Sequence, residues 1–266
     1  MTHTPLPGAC LRLAVRCLLS VYDLLPLRGG HFFWCDMEKF YCLQTGVFGV
    51  NTYIVPLDCA GDVNTAAFPR PALVVDPAAC MLTGDASKIT GFLAQKKLTC
   101  RAILLTHSHF DHIMGISVIK KAFPDAKVYV HKAEAGELGC AARGEEAGII
   151  NRSILSSFEM EAVLEGVASQ PEADILLTGG EVLFDDWKVI HTPGHSPGSV
   201  CYYSEKEGLL LSGDTMFYHS WGRTDMQGGN EAQIYASLSL LKKTVKAGTL
   251  VLPGHDCTGF KIDENW

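Results

Sequence analysis

A chain of 266 residues that is 47% hydrophobic and 19% charged has room for one large domain or two small ones. That composition excludes a disordered or fibrous protein. The net charge of −7, with no Lys/Arg cluster longer than a pair, speaks against a nucleic-acid-binding surface, whose affinity would come largely from neutralising phosphates.

The first 36 residues stand apart. Leu11 to Leu27 is rich in leucine, with Arg12 and Arg16 at its front. Asp23 and Pro26 interrupt the run, no clean small-residue cleavage pattern follows, and the run is too broken to span a membrane. Met37 opens a stretch with the pattern of a domain start. Residues 1–36 are therefore expected to be a poorly structured N-terminal extension, or to lie upstream of the true start, with one domain over 37–266.

Strands are expected at Phe40–Leu43 and Asn51–Val55, separated by Gly46 and Gly49, and at Ala72–Val75, stopped by Pro77. A loop over 57–71 joins the last two. Helical spacing over Ala86–Leu98, an apolar strand at Ala102–Leu105, helical spacing over Ile113–Phe123 and a strand at Lys127–Val130 suggest a parallel crossover unit. Residues 133–170 are expected to be a largely helical insertion, cut by Gly136, Gly139, Gly144 and Gly148. Strands return at Glu181–Phe184, Lys188–His191, Ser199–Tyr203 and Leu209–Leu211, then a helix at Glu231–Lys246 and a strand at Thr249–Leu252. Two β-rich halves, each with its own helices, predict an α/β fold of two sheets face to face with helices outside. Ten scattered cysteines without a CxxC pair suit reduced, buried thiols in a cytoplasmic protein.

The strongest chemical signal is Thr106-His107-Ser108-His109-Phe110-Asp111-His112, directly after an apolar strand. On extended backbone His107 and His109 point the same way. Asp111 and His112 follow where the chain turns into a helix, so four ligating groups can converge at the strand's end. Imidazole and carboxylate are ligands for zinc, iron or manganese. His195, Asp214 and His255 each follow a strand beside a glycine that permits close backbone approach.

This His-x-His-x-Asp-His run, with His195, Asp214 and His255, resembles the metallo-β-lactamase fold superfamily over about Met37 to His255. The resemblance implies a four-layer αββα sandwich with a dinuclear site at the edge of the sheets. Carried over by position, it implies that His107, His109 and His195 bind one metal, that Asp111, His112 and His255 bind the second, and that Asp214 bridges them. Two divalent ions are expected, zinc first, with iron or manganese also accepted. A water held between two such ions loses a proton near neutral pH and would serve as the nucleophile, so no Ser or Cys is required. Asp111 is the carboxylate expected to matter for catalysis as well as for binding.

Within the superfamily, Asp214 stands where common zinc β-lactamases carry Cys, and His109 where flavin-linked diiron members carry Glu. His191-Thr-Pro-Gly-His195-Ser-Pro-Gly198 and Gly222-Arg223-Thr224-Asp225 resemble the glyoxalase II group, and more specifically its compact bacterial branch, because only 11 residues follow His255. The expected activity is hydrolysis of a small thioester or ester, without a nucleic-acid or membrane partner. The same segments also resemble persulfide dioxygenases, which would hold a single iron through His107, His195 and Asp214. A metal-binding module without catalysis is the remaining alternative. Asp76 reads equally as orienting a ligand histidine or capping a turn. Arg223 and Asp225 read as a loop brace, and Phe217, Tyr218 and Trp221 as walls of a substrate pocket.

Overall fold

In the first half of the chain, β-branched and aromatic runs pair into a six-stranded sheet whose spatial order is also the chain order. It comprises β1 (Tyr41–Thr45), β2 (Val50–Pro56), β3 (Arg70–Val75), β4 (Leu98–Leu104), β5 (Lys127–His131) and β6 (Ile175–Leu177). Strands β1 to β3 are antiparallel, and β3 to β6 run parallel. The second sheet runs β7 (Val182–Leu183), β8 (Trp187–His191), β9 (Val200–Ser204), β10 (Leu209–Gly213), β11 (Leu250–Pro253) and β12 (Phe260–Lys261). It is antiparallel except between β10 and β11. This computed structural model describes residues 39–57, 69–138 and 157–265. The expected extension at 1–36, most of the 57–71 loop and residues 139–156 of the expected insertion lie outside the described residues.

Side-chain alternation builds the four layers. Tyr53 and Val55 of β2, Leu73 and Val75 of β3, and Leu104 of β4 meet Trp187, Val189, Val200, Tyr202, Leu211 and Leu252 between the sheets. Their neighbours Ile54, Ala72, Val74 and Ile103 face outward onto α1 (Lys88–Gln95), α2 (Phe110–Ile113), α3 (Ile116–Ala122) and α4 (Ser157–Ala168). Cys201, Tyr203, Leu210 and Val251 face α5 (Glu231–Thr244) through Ile234, Leu238 and Leu241, which are spaced for one helical face. Asn230 caps α5 by accepting from the Gln233 N–H at 3.0 Å, and Lys242 and Lys243 close its last turn. In β4 the outward set passes from Cys100 to Ile103, because a bulge opposite Ala72 and Leu73 leaves exposed Arg101 out of the pairing. That one-residue bulge keeps the charge in water and sets the phase of the strand that leads to His107.

Several boundaries differ from the sequence reading. The helix expected over Ala86–Leu98 stops at Gln95, since Leu98 already pairs with Arg70 in the sheet. The helix expected over Ile113–Phe123 is two pieces, broken where the Gly115 N–H donates to the Pro77 carbonyl at 2.7 Å. A Cβ at Gly115 would lie 2.8 Å from that oxygen, so only glycine allows the approach. Strands β6 and β12, of three and two residues, were too short for a sequence pattern. Buried Cys80, Cys100 and Cys201 act as small hydrophobes, and burial pushes the Cys100 thiol up to about 12 and that of Cys201 to about 11. Among the described residues no helix is long and apolar enough to cross a membrane.

Two tyrosines tie the sheets together beside the site. The Tyr202 hydroxyl of the second sheet donates to the Leu105 carbonyl of the first at 2.7 Å, two residues before His107. The Tyr53 hydroxyl of the first sheet meets the Pro253 carbonyl of the second at 2.8 Å, two residues before His255. Pro253 also accepts from Asn51 Nδ2 at 3.0 Å. Tyr202→Phe should therefore destabilise the fold by about 1–3 kcal/mol, and Tyr53→Phe by less than about 1 kcal/mol, because the Pro253 carbonyl keeps a partner. Urea unfolding midpoints check the order, and a larger loss in Tyr53→Phe would contradict it.

Candidate metal centre

The seven motif residues converge where strands of both sheets end. His107 and His109 follow β4, Asp111 and His112 lie on α2, His195 follows β8, Asp214 follows β10 and His255 follows β11. One ligand atom each from His107, His109 and His195 lie within 4.8 Å of one another, and the same holds for Asp111, His112 and His255. Asp214 touches both groups. Its Oδ2 lies 3.6 Å from His195 Nε2 and 3.6 Å from His255 Nε2, and its Oδ1 lies 3.5 Å from His112 Nε2. Glycines leave room for this crowding. A Cβ on Gly254 would stand 2.3 Å from Asp214 Oδ1, and one on Gly222 would stand 2.9 Å from His195 Nδ1. Most of the set is buried, whereas the His255 side chain is 21% exposed, so the cluster meets solvent on that side.

The surrounding hydrogen bonds assign the imidazole tautomers. Asp76 takes the Thr106 N–H on Oδ1 at 2.8 Å and the Thr106 hydroxyl on Oδ2 at 2.6 Å. With its proton committed, Thr106 Oγ1 must accept from His107 Nδ1, 3.0 Å away, leaving the buried His107 Nε2 with a lone pair and no partner. His112 Nδ1 donates to Asp76 Oδ2 at 3.1 Å, and His195 Nδ1 donates to the Arg223 carbonyl at 2.8 Å. Their Nε2 atoms then face His255 Nε2 at 3.2 Å and His109 Nδ1 at 2.8 Å. Ring nitrogens aimed at one another, with the buried Asp214 Oδ1 also unpartnered, form a donor set that suits a cation. The carboxylate of Asp76 also lies close to His107 and His112. Since it already accepts three hydrogen bonds, it holds His112 directly, and His107 through Thr106, from outside the cluster.

Burial, reinforced by the other histidines, pushes His107 well below the usual imidazole range. Desolvation likewise takes His109 down to about 4 and His195 to about 3, so all three are neutral at pH 7. For His112 burial acts downward, but Asp111, Asp214 and Asp76 outweigh it and raise the group to about 10. Burial also works against the charged form of Asp111, yet His112 and His255 hold it well below the carboxylate range. Desolvation lifts Asp214 to about 6. One trio is thus poised as neutral donors, and the other contains a carboxylate–imidazolium pair, Asp111 and His112, whose proton a cation can displace.

Other expected residues separate by contact. The Arg223 side chain makes a bidentate pair with Asp225 at 2.7 and 2.8 Å on the exposed surface, while its carbonyl holds His195. Phe217 packs 6.5 Å, centroid to centroid, from His255. Trp221 instead packs on Tyr235, and Tyr218 on Phe260. His131 and His191 stack with centroids 4.2 Å apart. Asn51 and Glu134 carry no motif signal and were missed. Asn51 anchors the His255 loop by donating from its backbone N–H to the Gly254 carbonyl at 2.7 Å and from its amide to the Asp256 carbonyl at 3.2 Å.

Residues 70–255 match the sequence profile of the metallo-beta-lactamase superfamily. The chain belongs to that superfamily. It is 37% identical over 186 residues, 69% of this chain and 79% of the relative, to the probable metallo-hydrolase YqgX of Bacillus subtilis. Among solved structures it is similar to the BLEG-1 B3 metallo-beta-lactamase, with a TM-score of 0.65 at 31% identity, covering 85% of this chain and 95% of that one. It is also similar to TTHA1623 in a di-iron-bound form, with a TM-score of 0.64 at 28% identity, covering 84% and 96%.

Metal uptake at pH 7 should release protons, because His112, raised to about 10, must give up its Nε2 proton to bind. The folded pKa is raised, so the bound proton competes with metal throughout the range below it. Affinity should fall about tenfold per pH unit for each proton displaced. Zinc-binding calorimetry at pH 7 in buffers of different ionisation enthalpy measures the release; none at all would contradict this electrostatic picture.

Proposed function

We propose that this protein is a dinuclear metal-dependent hydrolase of a small thioester or ester, similar to glyoxalase II. The observation that carries the reading is the pairing of two three-residue donor groups around one shared carboxylate, Asp214. On this reading His107, His109 and His195 would hold one ion and Asp111, His112 and His255 the other, with Asp214 within reach of both groups. Divalent ions bound there supply Lewis acidity toward a carbonyl oxygen and lower the pKa of coordinated water. Zinc is the first expectation, and the di-iron relative supports iron as an alternative.

The chain's own residues prepare the reaction. Asp76 and the Arg223 carbonyl keep the Nδ1 protons of His112 and His195 in place, so that both rings present Nε2 inward. Asp111, held ionised 3.3 Å from His255 Nε2, adds a negative charge on the solvent-facing side of the cluster. The substrate enters on that side, past Phe217, whose ring offers an apolar wall to an acyl or thiol group. Hydrolysis adds water across the C–S or C–O bond and gives a carboxylate with a thiol or alcohol.

The test is turnover of S-lactoylglutathione by zinc-, iron- and manganese-loaded protein, with a β-lactam and glutathione persulfide as competing substrates. Thioester hydrolysis is expected, and Asp214→Asn should reduce it by more than the ~10–100-fold typical of losing a ligand's outer partner. Phe217→Ala should raise KM about tenfold, in keeping with the loss of one aromatic contact, while leaving metal content unchanged. Oxygen uptake on the persulfide by protein holding one iron would overturn the proposal, as would exclusive β-lactam hydrolysis.

A further inference from the structure

The parallel strands β3, β4 and β5 lie side by side, and an acidic residue follows each outer strand: Asp76 after β3 and Glu134 just beyond β5. Between them, the chain leaving β4 alternates residues that are held with residues that face the cluster. Thr106 gives its N–H and hydroxyl to Asp76, while Ser108 gives its N–H to Glu134 Oε2 at 3.0 Å and its hydroxyl to the same oxygen. His107 and His109 occupy the positions next to these anchors. Glu134 then does something Asp76 does not. Its Oε1 accepts the Ser196 hydroxyl at 2.7 Å and the Gly198 N–H at 2.7 Å, on the loop of the other sheet that carries His195.

Glu134 is only 2% exposed, and its carboxylate accepts two hydrogen bonds from each loop. Gly198 makes room for it, since a Cβ there would lie 2.3 Å from Glu134 Cγ. A buried carboxylate with four donors is strongly held, and it fixes whatever those donors are attached to. Here they flank all three histidines of one donor group and none of the other.

We propose that Glu134 is a positioning residue for the His107–His109–His195 pocket, clamping loops from opposite sheets at the spacing a metal ion needs. This rests on the metal-centre reading above. Glutamine at 134 would keep the size, but its NH2 group would face a donor on one loop or the other and release that loop. Asp76 and its hold on His112 would be untouched, so the second donor group should keep its geometry.

The experiment is a cobalt(II) titration of metal-free parent and Glu134→Gln proteins, followed by visible absorption, with circular dichroism and thermal melting run alongside. One of the two ions should bind about 10–100-fold more weakly in Glu134→Gln, the other within about 3-fold of the parent. A carboxylate that merely supports the fold would lower the melting temperature without separating the two ions. Both ions unchanged, or both weakened equally, would overturn the proposal. Should Glu134→Gln not fold, Ser196→Ala, which removes a single donor from the clamp, must weaken the same one ion; no change there overturns the proposal. A parent protein that takes up no cobalt overturns the metal-centre reading, and this inference with it.

Discussion

Five imidazoles and two carboxylates share one junction between two sheets, and their mutual electrostatics govern the rest of the structure. Burying such groups costs several kcal/mol per uncompensated charge. Part of that cost is offset internally, because the carboxylates hold His112 protonated while it holds Asp111 ionised. The remainder is visible in His107 Nε2, His109 Nε2 and Asp214 Oδ1, which are buried without hydrogen-bond partners. Cations placed among them would satisfy all of these atoms together.

The fold is arranged to hold that junction open and in register. His107, His109, His195, Asp214 and His255 sit just past the ends of strands, where the backbone leaves the ladder and can be held by side chains, and Asp111 and His112 follow on the short helix α2. Each sheet braces the other's loops: Tyr202 of β9 holds the β4 end, Glu134 joins the β4 and β8 ends, and Asn51 with Tyr53 fixes the β11 end. The two acids beyond β3 and β5 flank the His107–His109 strand end from either side. This agrees with a general feature of metal centres, in which partners of the ligands set ring orientation and tautomer.

Much of this was legible in the sequence, for identifiable reasons. The His107 to His112 run follows an apolar strand, and the two-residue repeat of extended chain puts His107 and His109 on one side. The glycines beside Asp214 and His255 signalled close approach, and Gly213 and Gly254 pack against Thr106 and Asp214. Two β-rich halves, each with its own helices, pointed to the two-sheet architecture. What escaped was tertiary. Glu134 lies in a turn with no spacing that links it to Ser108 or Ser196, 26 and 62 residues away. Asn51 looked like one more polar residue in a strand. Of Phe217, Tyr218 and Trp221, adjacency in sequence could not reveal that Phe217 packs on His255, Tyr218 on Phe260 and Trp221 on Tyr235 of α5.

We propose this junction as a two-ion site divided into a three-histidine pocket and an Asp111–His112–His255 pocket joined by Asp214. Anomalous X-ray diffraction from metal-loaded crystals, collected at the absorption edge of the bound element, tests it most directly. Two anomalous peaks are expected, one within bonding distance of His107, His109 and His195 and one of Asp111, His112 and His255, with Asp214 between them. A single peak held by His107, His195 and Asp214, or none among these residues, would contradict it.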